Sequence, residues 1–130
     1  GMLPLVYTPA WLAASAILIV AMVYGSLGTG SSLPSPGEFD KLAHFSAYLF
    51  LAVWFTGLVT RAHYWKVVLA LVCFGLAMEI LQQVMQRGRY GDPFDMAANA
   101  LGVAAGLSLA LWQTGGWARW IDAWLARRRT

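Results

Sequence analysis

Residues 65–86 read WKVVLALVCFGLAMEILQQVMQ. No charge interrupts the run from Val67 to Met78, and then Glu79 appears, followed by Gln82, Gln83 and Gln86. A helix crosses the hydrocarbon core of a bilayer in about 20 mainly apolar residues. This stretch therefore predicts a transmembrane helix with one deep carboxylate. An ionisable group costs several kcal/mol in hydrocarbon, so Glu79 must be protonated, paired or facing water.

Composition agrees with a lipid solvent. The chain of 130 residues is 59% hydrophobic and 12% charged, with a mean hydropathy of +0.59. Soluble domains carry about 25% charged residues. One domain is expected at this length. The net charge of +3 comes without a basic stretch interleaved with aromatic residues, which excludes nucleic acid as a partner. Cys73 stands alone in an apolar run, so it offers neither an intrachain disulfide nor a zinc site and reads as a packing residue. Gly1 ahead of Met2 reads as an expression-tag scar.

Three more apolar segments flank this one. The first runs from about Ala10 to Leu27 and, with no Lys or Arg before it, reads as a retained anchor rather than a cleaved signal. The Gly/Ser/Pro loop Gly28 to Gly37 stops it. Ser35-Pro36-Gly37-Glu38 has the form of a capping box and opens a second helix, from near Pro36 to Thr60. After a short basic turn from Arg61 to Lys66 comes the third helix, Trp65 to Gln86. A polar turn, Gln86 to Gly91, precedes Asp92-Pro93, an N-cap followed by proline, and a fourth helix to about Trp112. Gly115-Gly116 ends that helix. In the tail, Trp117, Trp120, Ile121 and Trp124 recur at helical spacing before Arg127, Arg128 and Arg129. Indoles and basic clusters favour the membrane interface, so a short amphipathic interfacial helix is expected. The predicted fold is an all-α membrane bundle of four transmembrane helices plus that helix.

With four spans, one side carries Arg61, Lys66, Arg119, Arg127, Arg128 and Arg129, and the other carries Lys41, Arg87 and Arg89. The positive-inside rule then places both termini in the cytoplasm. The polar residues of three helices converge on the outer half of the membrane. Asp40, His44 and Tyr48 fall at i, i+4 and i+8, with Lys41 beside them; Glu79, Gln83 and Gln86 fall at i, i+4 and i+7, with Gln82 flanking. Asp95, Asn99, Gly102 and Gly106 share an arc of roughly 60°. Glu79 lies about 15 Å along the axis from Arg89. Each residue also has a plain reading. Asp40 and Lys41 suit a helix start, Asp95 could complete a capping box with Asp92, and His44 and Tyr48 could be packing residues. Gly102-x-x-x-Gly106, with Ala98 a turn earlier, is the small-residue pattern of close helix packing.

The ordered set D-K-x-x-H-F-x-x-Y, E-x-x-Q, G-R and D-x-x-x-N-x-x-G-x-x-x-G resembles the VanZ-like membrane proteins. It lies at Asp40, Lys41, His44, Phe45 and Tyr48; Glu79 and Gln82; Gly88 and Arg89; and Asp95, Asn99, Gly102 and Gly106. The resemblance covers about residues 38 to 110. Where many members have proline before the Gly-Arg pair, this chain has Arg87. The resemblance implies a multi-pass protein of the bacterial inner membrane, in a family whose namesake is linked to teicoplanin resistance and most of whose members have no assigned activity.

The expected function is a cell-envelope protein whose outer pocket holds an amphiphile with an anionic head: a lipid-linked cell-wall precursor, a phospholipid or a lipoglycopeptide. Arg89 and Lys41 would meet the anion. Glu79, Gln82, Gln83, Gln86, His44 and Asn99 would form the neutral floor, and Asp40, Tyr48 and Asp95 are assigned to the same pocket. Membrane lipids are the expected partners, a homo-oligomer is compatible with the reading, and nothing calls for a cofactor. Three alternatives stay open. In a membrane enzyme acting on such a lipid, His44 would serve as base with Asp40 orienting it and Glu79 or Asp95 as acid. No serine or cysteine is placed as a nucleophile and no metal-ligand spacing appears, so the catalytic residues are unassigned. In a proton or solute path, Glu79 and His44 would act as relays, and an oligomer would be needed. In a scaffold, the polar residues would only tie helices together.

Overall fold

The computed structural model describes residues 2–27, 37–85 and 93–128. Among these residues five α-helices follow one another: α1 (Thr8–Leu27), α2 (Gly37–Thr56), α3 (Tyr64–Met85), α4 (Pro93–Leu109) and α5 (Trp117–Arg128). A 3-10 turn, Arg61–His63, leads into α3, and a π-helical turn, Ala110–Thr114, extends α4. The order is the one expected from the sequence. The capping box at Ser35 and the N-cap at Asp92 lie outside the described residues, as does the polar turn between α3 and α4.

Two helix ends differ from expectation. The second helix stops at Thr56 rather than Thr60, because the next residues pair with the N-terminal chain instead of continuing. Leu3 N donates to the Leu58 carbonyl at 2.8 Å, and Met2 forms an antiparallel bridge with Val59. The fourth helix keeps α geometry only to Leu109; Gly115 N then bonds to Ala110 O at 3.1 Å, the i to i−5 pattern of a π turn. Gly116, at φ +73°, ends it in a conformation that favours glycine and turns the chain into α5.

Among the described residues, three helical segments are long and apolar enough to cross a membrane: Thr8–Gly25, Arg61–Leu81 and Met96–Thr114. The apolar part of α2, Leu42–Thr56, is shorter, because Glu38, Asp40 and Lys41 occupy its first turns. The surface of the bundle is itself apolar, with Ile17, Val20, Tyr24 and Val84 each exposed by about two thirds or more. In water such a surface would aggregate; in lipid it is the solvated face. The architecture is a membrane helical bundle.

α2 lies at its centre. Its Tyr48, Leu51 and Ala52 are buried with Val67 and Leu71 of α3 and Val103 of α4. α4 approaches α2 closely at its two glycines. A Cβ on Gly102 would strike the Phe45 carbonyl, and one on Gly106 would lie 2.5 Å from the Ala52 Cβ. α1 packs beside α3, turning Leu18, Ile19 and Met22 to the core and most of its surface outward.

The end holding the starts of α1 and α3 and the end of α2 is closed by tryptophans. Rings of Trp11, Trp54 and Trp117 stand edge to face or tilted, with centroids 5.1–6.1 Å apart. Every indole N–H in this triad has an acceptor: Trp11 donates to Asp122 Oδ1 at 3.0 Å, Trp54 to Ser15 Oγ at 2.9 Å and Trp117 to the Val53 carbonyl at 2.7 Å. This corrects the reading of the tail as one interfacial face. Trp120, Ile121 and Trp124 are exposed as expected, but Trp117 turns inward. It does so because Gly57 leaves a notch for its ring; a Cβ there would overlap Trp117 Nε1 and Cδ1. Gly57→Ala is expected to push the indole out, cost about 1–3 kcal/mol and shift tryptophan emission to the red. Unchanged emission and melting would mean that the notch does not hold the ring.

Candidate functional site

At the opposite end, α2, α3 and α4 bring polar side chains into contact. His44 lies one turn before Tyr48 on α2, and Asn99 faces them from α4. His44 Nδ1 and Asn99 Oδ1 are 2.9 Å apart. The amide oxygen can only accept, so the ring proton of this bond sits on Nδ1, which leaves the lone pair of a neutral ring on Nε2. Asn99 is 3% exposed and Tyr48 also 3%. The gap that admits both is Gly75 of α3: a Cβ there would lie 3.2 Å from Asn99 Nδ2 and 3.3 Å from Tyr48 Cε2. Gly75 precedes Glu79 by one helical turn, so both fall on the same face of α3. Glu79 is 6% exposed and lies within electrostatic reach of Tyr48. It sits about 9 Å from the end of α3 at 1.5 Å per residue.

The structure thus gathers His44, Tyr48, Glu79 and Asn99 at one end of the bundle. The side chains of Asp40, Lys41, Gln82, Gln83, Gln86, Arg89 and Asp95 lie outside what is described. Asp40 and Lys41 belong to the first turns of α2, Gln82 and Gln83 to the last turns of α3, and Asp95 to the first turn of α4, all at this same end. Gly102 and Gly106 continue the Asn99 side of α4 against α2. No group of three metal-ligating side chains occurs among the described residues.

Sequence reasoning passed over Gly75, although a lone glycine four residues before a buried carboxylate was a readable signal of close approach. The Asn99 bond to His44 Nδ1, made from α4, also went unread; the Asp40 side chain, offered as an orienter in the enzyme alternative, lies outside the described residues. Chemically, the cluster offers a carboxyl, an imidazole, an amide and a phenol in a low-dielectric setting. These are mainly neutral donors and acceptors around one acid, a set suited to holding hydroxyls, amides or water.

A protein-family model described as VanZ/LLP1 matches residues 4–114. The match spans all of α1 and reaches through the π turn, well beyond the motif-bearing stretch at about 38 to 110. No curated protein and no solved structure matches the chain. The chain belongs to the VanZ/LLP1 family, which is associated in general with glycopeptide resistance.

Proposed function

We propose that this VanZ-family protein of the bacterial inner membrane binds or modulates an amphiphilic envelope ligand through a polar pocket in the outer leaflet. The observation that carries the reading is the buried cluster itself. Glu79, Tyr48 and the hydrogen-bonded pair His44–Asn99 meet at one end of a bundle whose helix flanks are largely apolar. Polar groups held inside a membrane bundle mark ligand or ion sites more often than they mark packing. The positive-inside count favours both termini in the cytoplasm and so sets this cluster outward. Arg89 and Lys41, flanking the cluster in sequence, supply cations for a phosphate or carboxylate head. A lipid-linked precursor, a phospholipid or a lipoglycopeptide such as teicoplanin has that chemistry.

Native mass spectrometry in mild detergent tests the reading, with envelope lipids and teicoplanin added in turn. The unsubstituted protein should retain an adduct of unchanged mass. Arg89→Ala should weaken retention about tenfold, the loss of one charge-assisted hydrogen bond, and Glu79→Gln should weaken it as well. Equal retention by all three proteins would remove the pocket. A hydrolase or transferase reading has one specific support, the Asn99 bond that orients the His44 ring beside Tyr48 and Glu79. A lipid returned with altered mass would put that reading first.

A further inference from the structure

We propose a second lipid site at the other end of the bundle: a groove between α1 and α3 that seats one acyl chain of an anionic glycerophospholipid, with the headgroup on Lys66 and His63. The groove has a volume of about 470 Å³. Its walls are apolar, with Ile19 from α1, Phe55 from α2, and Val67, Leu71 and Phe74 from α3. Its polar residues, His63 and Lys66, sit together at one end.

The dimensions fit a single leaflet. From His63 to Phe74 the groove follows α3 for about 16 Å at 1.5 Å per residue. That is about half of a 30 Å hydrocarbon core, the depth of one acyl chain. The polar end coincides with the membrane boundary, where the exposed Trp65 stands beside Lys66, its ring centroid 5.7 Å from the Lys66 Nζ. A lysine there runs its stem along the apolar wall and carries its amine to the headgroup level. His63 is held by Thr60, whose Oγ1 is 2.8 Å from Nδ1.

Charge selects the headgroup. Among the described residues, this end of the bundle carries Arg61, Lys66, Arg119, Arg127 and Arg128 against a single acid, Asp122. Asp122 is 3% exposed and already accepts three hydrogen bonds, so it offers little counter-charge to an arriving cationic head. Of these cations, Lys66 lines the groove itself, and one basic side chain at the surface favours an anionic lipid over a zwitterionic one by about fivefold. An ordinary annular lipid would show no such preference.

The test titrates the full chain in mild detergent with phosphatidylglycerol and, separately, phosphatidylcholine, reading retained adducts by native mass spectrometry. Phosphatidylglycerol should be retained about fivefold better. Lys66→Gln should abolish most of that preference while leaving phosphatidylcholine unchanged, and Lys66→Arg should restore it. Ala70→Phe, which fills the groove from an exposed position, should reduce retention of both lipids. The readout is the part of the preference that Lys66→Gln removes, measured in the unsubstituted and in the Arg89→Ala background; the same Lys66-dependent part in both lets the outer pocket and this groove stand or fall separately. Equal retention of the two lipids, or a Lys66→Gln protein that keeps the preference, would overturn the proposal. So would a dimer that Ala70→Phe dissociates, since a second copy would then be the occupant.

Discussion

Asp122→Ala is expected to release α5 from the bundle. The carboxylate sits on α5 and accepts the Val6 N–H at 2.7 Å, the Tyr7 N–H at 2.9 Å and the Trp11 indole N–H at 3.0 Å. Tyr7 is the residue from whose carbonyl the first bond of α1 starts, with Trp11 N at 3.0 Å. Asp122 therefore caps α1 from more than a hundred residues away, satisfying donors that the start of a helix leaves open. Removing it strands two backbone donors and an indole, each at about 1–3 kcal/mol when buried. A total loss of about 3–5 kcal/mol follows, since interfacial water recovers part of it. Asp122→Asn keeps one acceptor oxygen and should lose about half as much. Trypsin cleavage at Arg127 and Arg128, followed with time, reads α5 undocking directly. Cleavage at the unsubstituted rate in Asp122→Ala would show that the clasp contributes nothing.

The same carboxylate gives a pH dependence. Burial pushes the Asp122 pKa up, but the hydrogen bonds from Val6, Tyr7 and Trp11 push it down further, and it ends below its usual value of 3.8. A carboxylate with a depressed pKa in the folded state stabilises that state wherever it is ionised. The contribution is whole above about pH 4, the unfolded value, and fades as pH falls through the lower folded one. The difference in tail protection between the unsubstituted protein and Asp122→Asn should therefore be constant at neutral pH and shrink below about pH 4. A difference that shrinks near pH 6 instead would assign the titration to another group.

The bundle itself was readable because its helices are fixed by length and apolarity, which are local properties. Glu79, Asn99, His44 and Tyr48 could be assigned to one end because helical period and alternating direction follow from the same properties. The partners within that end could not. Spacing along α2 offers Asp40, whose side chain lies outside the described residues, and is silent on the bond from His44 to Asn99, which depends on how α4 packs against α2. The tail misled for a related reason. Trp117 shares the period of Trp120, Ile121 and Trp124, yet it is the first residue of α5, and side chains in a helix lean toward its N-terminus. Its ring therefore reaches past the helix end to Gly57. Nothing near Asp122 in sequence announces that its donors are Val6, Tyr7 and Trp11.

The α2–α4 contact should be the least tolerant of added volume. A Cβ on Gly102 meets the Phe45 carbonyl and stands 3.0 Å from Leu49 N, both backbone atoms that cannot rotate away. Gly102→Ala must therefore move α4 off α2, at about 2 kcal/mol, and Gly102→Leu should exceed about 3 kcal/mol. The move reaches the polar cluster. Asn99 lies three residues before Gly102 on α4, so displacement of that helix stretches its 2.9 Å bond to His44. Gly106→Ala differs in part, because the nearest atom it meets is the Ala52 Cβ at 2.5 Å, with the Leu49 carbonyl next at 2.8 Å. Ala52→Gly should recover part of the Gly106→Ala loss and none of the Gly102→Ala loss, a coupling that a double-mutant cycle measures. Gly25 of α1 supplies the contrast, since nothing lies within 4 Å of a Cβ placed there. Gly25→Ala should be neutral or gain up to about 1 kcal/mol from helix propensity. If Gly102→Ala melts no earlier than Gly25→Ala, the two helices do not rely on backbone contact, and the cluster of His44 and Asn99 must be held by its polar contacts alone.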